Sequence, residues 1–166
     1  MKKYIRYSIA IIIGLVVFSC SEKKKTREER VAEFREQLSA ADTTTMLKLC
    51  DNAMELLKNK QYDKVLGSMY EYTDSIQEVR PLSEKTASEY LNMFKRFPVL
   101  NYRRAYFSFQ LEGCNDVKYM VEFAPAEATG TGKPATTSYM FNPVKIDGTW
   151  KLCVKTPEDQ LDLEKR

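Results

Sequence analysis

Two periods of hydrophobic and polar residues divide this chain. Between residues 44 and 97, apolar side chains recur every three or four positions, which is the spacing of one helical face. After Pro98 they alternate with polar side chains, which is the spacing of a half-buried strand. The change of period predicts a helical half followed by a strand half.

Three helices are predicted in the first half. The first begins after the hydroxyl-bearing residues 43–45, and the second covers residues 62–72. The third starts at Ser83, a favourable N-cap, and ends before Pro98. The apolar face of the first helix consists of Met46, Leu49, Cys50, Ala53, Met54 and Leu57.

Four strands are predicted in the second half. The pair Asp147 and Gly148 is typical of a tight hairpin turn between the last two of them. Helices followed by strands predict an α+β fold, with the N-terminal helices packed on one face of a mostly antiparallel four-stranded sheet. The predicted strands are residues 102–111, 117–123, 137–146 and 150–155.

The first twenty residues have the layout of a secretory signal. Lys2, Lys3 and Arg6 precede an uncharged stretch at residues 9–18, about half of the roughly 20 residues that a transmembrane helix requires. The segment VVFSC resembles a bacterial lipobox, whose Cys becomes the lipidated first residue of the mature protein. The resemblance implies that Cys20 is acylated and that the membrane is a partner. The alternative is an ordinary signal peptide in which Cys20 is incidental.

The residues after Cys20 indicate which membrane a lipidated protein would reach. Ser21 rather than Asp follows it, which resembles an outer-membrane signal of Gram-negative bacteria, and the single Glu22 before Lys23 differs from the acidic cluster of surface-exported lipoproteins. We therefore expect the periplasmic face of the outer membrane in the cell envelope. The predicted division is a signal peptide (1–19), an anchor with a charged, partly helical tether (20–43), a folded domain (44–156) and a flexible tail (157–166).

Composition excludes several classes of chemistry. The 166 residues include no His, which excludes Ser–His–Asp and Cys–His catalysis and His-ligated metals. No metal site or cofactor is expected. The formal net charge of +3 is carried away with Lys2, Lys3 and Arg6 when the signal is removed, so the near-neutral mature chain does not favour a nucleic-acid partner.

Three cysteines remain if Cys20 is lipidated. An odd number allows at most one internal disulfide, and Cys114 with Cys153 is the favoured pair because both lie in the strand half. Cys50 lies on the apolar face of the first predicted helix, where a thiol acts as a small hydrophobic side chain.

The order of elements resembles the nuclear transport factor 2-like (NTF2-like) superfamily, and more narrowly small bacterial lipoproteins of unknown function built on that fold. The resemblance rests on LLKNKQYDKVLGSMY, the longer helix after it and strands that end in VKIDGTWKLCVK. It implies a curved sheet that the helices close into a cone around an apolar cavity. A cystatin-like domain is the alternative, although three predicted helices argue against it.

The function remains open among three classes. The first is a non-catalytic, membrane-anchored binder of a small apolar ligand or a protein partner, with Tyr106, Tyr119 and Tyr139 as the candidate ligand cup. The second is an isomerase-like or dehydratase-like enzyme that uses a carboxylate, for which Glu122 is the candidate, and a Tyr in the cone. The third is a structural homodimer formed through the exposed sheet face. Aromatic side chains in strands also serve simply as core packing.

Overall fold

The computed structural model describes residues 25–73, 78–111 and 113–155. The signal peptide, Cys20 and the tail at 157–166 lie outside these residues. The five helices of this part are α1 (Arg27–Gln37), α2 (Ala40–Lys58), α3 (Tyr62–Ser68), α4 (Glu84–Arg96) and the short α5 (Ala126–Thr129). The strands are β1 (Met69–Thr73), β2 (Glu78–Pro81), β3 (Asn101–Phe109), β4 (Asn115–Ala124), β5 (Ala135–Ile146) and β6 (Thr149–Lys155). None of the helices in these ranges is long and apolar enough to cross a membrane.

The α+β class is confirmed, but the prediction of four strands is wrong. The described residues form one six-stranded sheet in the order β2-β1-β6-β5-β4-β3. The sheet is mixed because β1 runs parallel to β6, whereas the other neighbouring pairs are antiparallel. The two extra strands come from residues 69–81, part of which was predicted to continue the second helix.

That helix ends early for a local reason. Gly67 weakens the last turn of α3, and the Ser68 hydroxyl donates to the Val65 carbonyl, which closes the turn. The next residues, MYEYT, are rich in Tyr and Thr, which favour strands. Pro81 ends β2, which is an edge strand of the sheet, and Pro is tolerated in edge strands.

The main hydrophobic core lies between one face of the sheet and helices α2, α3 and α4. The predicted apolar face of α2 supplies the fully buried Met46, Cys50 and Met54. Phe94 of α4 packs on Tyr139 of β5 with ring centroids 5.4 Å apart. The central space of the fold is therefore filled by side chains.

A second, smaller cluster lies on the other face of the sheet. Leu152 and Val154 of β6 belong to the main core, whereas Cys153 between them packs with Tyr72 and Val144. Because successive strand residues point to opposite faces, this second cluster faces away from α2, α3 and α4.

Helix α2 begins earlier than predicted. Its N-cap is Ser39, which forms a reciprocal capping box with Asp42, and the hydroxyls of Thr44 and Thr45 donate to carbonyls one turn back inside the helix. The N-cap at Ser83 of α4 is confirmed, since its side chain accepts from the Thr86 backbone N–H.

Helix α1 occupies part of the stretch that was predicted to be a tether. A capping box between Thr26 and Glu29 starts it. Phe34 and, just after the helix, Leu38 are half-buried against the main core. The side chain of Arg27 donates to the Gln110 side chain at 3.0 Å. Helix α1 is thus held near its start by the residue that follows β3 and near its end by the main core.

Candidate functional site

A cleft of about 530 Å³ opens between α1 and the sheet. We call it the α1 cleft. Its residues come from four places that are distant in the sequence: α1, the strands β1 and β2, the turn before β4, and the end of β5. They are Arg30, Glu33, Phe34, Gln37, Tyr72, Val79, Leu111, Gly113, Cys114, Val144, Lys145, Ile146 and Asp147.

Part of the inner surface of the α1 cleft is apolar. Tyr72 and Val144 are buried members of the second cluster, and Val79 and Ile146 pack half-buried beside them. Cys153 lies in the same cluster and is fully buried. This apolar surface exists because β1 and β5 turn alternate side chains to the face that α2, α3 and α4 leave open.

One wall of the cleft depends on a glycine. A Cβ atom at Gly113 would lie 2.0 Å from the Tyr72 hydroxyl oxygen and 2.3 Å from the ring carbon that carries it. Only a residue without a side chain lets the backbone before β4 approach Tyr72 so closely. Gly113 therefore joins the β3–β4 connection to β1 across the cleft.

Helix α1 forms the opposite wall. Arg30 and Phe34 are four residues apart and so lie on the same helical face. The Glu33 carboxylate accepts from Lys25 Nζ at 2.6 Å. From the sequence, this segment was predicted to be part of a partly helical tether, so its contribution to a site was missed.

A smaller hollow of about 80 Å³ adjoins the α1 cleft and shares Phe34, Gln37 and Lys145 with it. We call it the Trp150 hollow. Its polar wall is Asp42, whose Oδ1 accepts from Lys145 Nζ at 2.9 Å and from the Trp150 ring N–H at 2.8 Å. The hydrogen bonds from Ser39, Trp150 and Lys145 hold the pKa of Asp42 well below its usual range. Asp42 therefore acts as a charged acceptor at neutral pH.

The three predicted cup tyrosines do not form one cup. Tyr119 and Tyr139 are opposite each other on β4 and β5 and are buried in the main core. Their hydroxyls donate at 2.5 Å to Asp51 Oδ1 and to the Phe97 carbonyl, respectively. Tyr106 pairs with Lys118, whose neighbour in β4 is Tyr119, so it lies on the other face, 45% exposed.

A carboxylate and a tyrosine do meet, although not at Glu122. Asp51 of α2 accepts from Tyr119 and also from Arg104, whose guanidinium is 2.5 Å from Oδ2. Burial, and then the hydrogen bond to Asp51, raises the pKa of Tyr119, which keeps its hydroxyl protonated as the donor. Both oxygens of Asp51 are thus engaged in tying α2 to β3 and β4.

The most deeply buried carboxylate of the described residues is structural. Glu71 of β1 is 1% exposed and accepts from Arg80 and from both the backbone N–H and the hydroxyl of Ser83. Burial alone would raise its pKa, but the hydrogen bonds from Thr86, Ser83 and Arg80 outweigh burial and lower it from 4.5 to about 2. A carboxyl that is ionised at neutral pH cannot serve there as a general acid.

The predicted disulfide is not formed, because Cys153 is a free thiol buried between β1 and β5. Burial raises the pKa of Cys153 to about 12, and it also raises the pKa of Cys50. A thiol with a raised pKa is protonated at neutral pH and is a poor nucleophile. Within the described ranges, no three His, Cys, Asp or Glu side chains come together as a metal site.

Comparisons with known proteins find likeness of structure and not of sequence. No family model matches the chain, and no curated protein matches it. A solved structure from Campylobacter jejuni described as an NTF2-like transpeptidase has 13% identity and a TM-score of 0.36, and the match covers 65% of this chain and 96% of that one.

A second solved structure comes from Xanthomonas campestris. It is described as a calcium/calmodulin-dependent protein kinase II association domain, with 19% identity and a TM-score of 0.40, and the match covers 74% of this chain and 91% of that one. Both of these solved structures have the NTF2-like fold.

Proposed function

We propose that this protein is a lipoprotein of the bacterial cell envelope that binds a small ligand in the α1 cleft without transforming it. The observation that carries the proposal is the cleft itself, with its buried apolar surface of Tyr72 and Val144 and its charged rim. Its volume of about 530 Å³ falls in the usual range for small-molecule sites, roughly 300 to 1,000 Å³.

A binding role fits the chemistry around the cleft better than catalysis does. Asp42 beside the cleft and Glu71 on β1 have lowered pKa values, so both stay ionised at neutral pH. Asp51, a carboxylate that meets a tyrosine, is engaged by Arg104 and Tyr119. A general acid or base needs a pKa near neutrality and access to substrate.

The anchor is part of the proposal. If Cys20 carries lipid, Thr26, the N-cap of α1, is only six positions after it in the sequence. Extended chain spans at most about 3.6 Å per residue, so α1 begins within roughly 20 Å of the anchor. We therefore place the cleft close to the membrane, on the periplasmic face of the outer membrane.

Native mass spectrometry of the lipoprotein, released from envelope membranes in mild detergent, tests the binding role. We expect the unsubstituted protein to carry a reproducible non-covalent mass. Gln37→Trp should remove it, because Gln37 is exposed on α1 and lines both the cleft and the Trp150 hollow.

Glu36→Trp is the matched control. It adds the same side chain at the next exposed position of α1, which does not line the cleft. Retention of the mass by both variants would contradict binding in the α1 cleft. Absence of any adduct from the unsubstituted protein would contradict a resident ligand.

A second candidate function is a homodimeric interaction module. Tyr106 and Met140, which flank Lys118 on the face away from the main core, are 45% and 41% exposed. An exposed apolar patch on a sheet is typical of an interface. Light scattering should report a dimer that Met140→Asp dissociates, and a concentration-independent monomer would exclude this candidate.

A further inference from the structure

We infer that the ligand of the α1 cleft is a single-chain amphiphile with an anionic head group, which Arg30 binds. This inference rests on the proposed function, because it names the ligand class of the same cleft. It follows from which charges at the rim already have partners and which do not.

Four charged side chains line the cleft, and two of them are neutralised by ion pairs. Glu33 is bound to Lys25 at 2.6 Å, and Lys145 is bound to Asp42 at 2.9 Å. Arg30 and Asp147 form no ion pair with any of the described residues. Among the described residues that line the cleft, one cation and one anion are therefore without an ion pair to another described residue.

The two unpaired charges are differently placed. Arg30 shares a helical face with Phe34, which is half-buried against the main core, so the guanidinium stands next to apolar surface. Asp147 is in the exposed β5–β6 turn, where its φ of 47° and that of Gly148, 76°, form the tight hairpin. The hairpin itself accounts for Asp147, because Asp is a favoured residue at such a turn position.

No side-chain contact among the described residues gives Arg30 a comparable structural role. It is exposed on α1 and is not needed for the cap, which Thr26 and Glu29 form. A guanidinium presents two parallel N–H donors that match a carboxylate or a phosphate. An acyl chain attached to that head would lie on the half-buried Val79 and Ile146, which pack against the buried Tyr72 and Val144, and would extend toward Phe34.

The adjoining Trp150 hollow supports an elongated ligand. It continues from the α1 cleft past Phe34 and Gln37 to the Trp150 ring, over which Lys145 Nζ stands at 5.5 Å from the centroid. A compact polar metabolite would leave this hollow empty, whereas a chain can follow its apolar side, which Phe34, Leu38 and Trp150 form. The closeness of α1 to the proposed lipid anchor provides a source of such chains in the membrane.

Equilibrium dialysis with the full-length protein in bilayer nanodiscs tests the inference, with empty nanodiscs as the reference. The three probes are octanoate, octanol and octylammonium, which share a chain and differ in the charge of the head. We expect octanoate to bind best. Arg30→Gln should weaken octanoate binding about fivefold, as expected for an exposed charge pair, and leave octanol binding unchanged.

Two further variants make the result specific. Arg30→Lys should keep part of the octanoate affinity, because it keeps the charge but loses the two-pronged geometry. Asp147→Asn should not weaken octanoate binding. Circular dichroism of each variant checks that it is folded.

The outcomes separate the inference from the proposed function. If the three probes bound equally and Arg30→Gln had no effect, the inference of an anionic head group would be overturned. The result would still support the cleft as a ligand site. A preference for octylammonium that Asp147→Asn abolishes would overturn the inference, because it would indicate that the head group is cationic. No binding of any probe beyond empty nanodiscs would overturn both.

Discussion

The side chain of Glu71 and the N-cap of α4 are bound to each other: Oε1 accepts from the Ser83 backbone N–H at 3.1 Å and from its hydroxyl at 2.8 Å. The same hydroxyl caps the Thr86 N–H. A buried carboxylate on β1 thus fixes the start of a helix twelve residues later, and Arg80 on β2 balances its charge.

Replacing this carboxylate should be costly. Glu71→Gln keeps the shape but removes the charge and one of the two acceptor oxygens, so we expect a loss of about 2 kcal/mol in the free energy of unfolding. Urea denaturation at neutral pH measures it. Glu78→Gln, at an exposed position on the neighbouring strand, should change the value by less than about 0.5 kcal/mol. Equal effects of the two substitutions would refute a special role for Glu71.

The same group predicts how stability depends on acidity. The pKa of Glu71 is about 2 in the folded state and 4.5 as its ordinary value, so its stabilising contribution is present above pH 4.5 and is lost as the pH falls toward 2. The stability difference between the unsubstituted protein and Glu71→Gln should therefore shrink across that interval. Asp42, whose pKa is also lowered, acts in the same direction in both proteins. A constant difference down to pH 2 would argue against the hydrogen bonds of Glu71 as the cause.

Periodicity in the sequence predicted the long elements well. The apolar spacing of α2 and α4 and the alternation in β3 to β6 arise because each of these elements turns one face to the same core. The spacing is therefore visible within each segment of the sequence. β1 and β2 were missed because five-residue and four-residue strands hold too few alternations to outweigh the helical pattern before them. Their pairing with β6 and with each other is a long-range relation that no local period contains.

The position of Tyr106 shows that a local irregularity can interrupt the alternation of side chains between the two faces of a strand. Tyr102 and Arg104 are opposite Val121 and Tyr119, but the register then shifts, and Tyr106 is opposite Lys118. The bulge between Arg104 and Tyr106 turns Tyr106 to the other face, so it cannot join Tyr119 and Tyr139. The α1 cleft could not be predicted from the sequence either, because its residues come from segments that only the folded chain brings together.

The three tyrosines should differ in their contribution to stability. Tyr119→Phe and Tyr139→Phe each remove a hydroxyl that donates to a defined acceptor, and we expect each to lower the free energy of unfolding by about 1 kcal/mol. Tyr106→Phe should have almost no effect, because this side chain is 45% exposed. Thermal and urea unfolding of the three variants compare them directly. A cost for Tyr106→Phe that matched the others would contradict its placement on the open face.

Two glycines should respond oppositely to alanine. Gly113→Ala places a methyl group into the Tyr72 ring and should destabilise the fold by about 1 to 3 kcal/mol. Gly67→Ala meets no atom within 4 Å in α3 and should stabilise it by about 0.5 to 1 kcal/mol. The combined loss for Gly113→Ala with Tyr72→Ala should be smaller than the sum of the two single losses, since the ring that the added methyl group would meet is gone. Additive losses in that double variant would show that the contact with Tyr72 is not the reason for glycine at this position.

The proposed anchor makes the sharpest prediction about the whole chain. Cys20→Ala should move the protein from the membrane fraction to the soluble periplasmic fraction and abolish incorporation of labelled palmitate. Acylation requires the thiol, and each acyl CH₂ buried in the bilayer contributes about 0.8 kcal/mol, so several chains hold a protein durably. Cys114→Ala is the control, because it removes a thiol that the lipobox resemblance does not involve and should leave both readouts unchanged. If Cys20→Ala kept the label and the membrane fraction, the lipoprotein proposal would fail. The α1 cleft would then have to obtain its ligand without a membrane held within roughly 20 Å of α1.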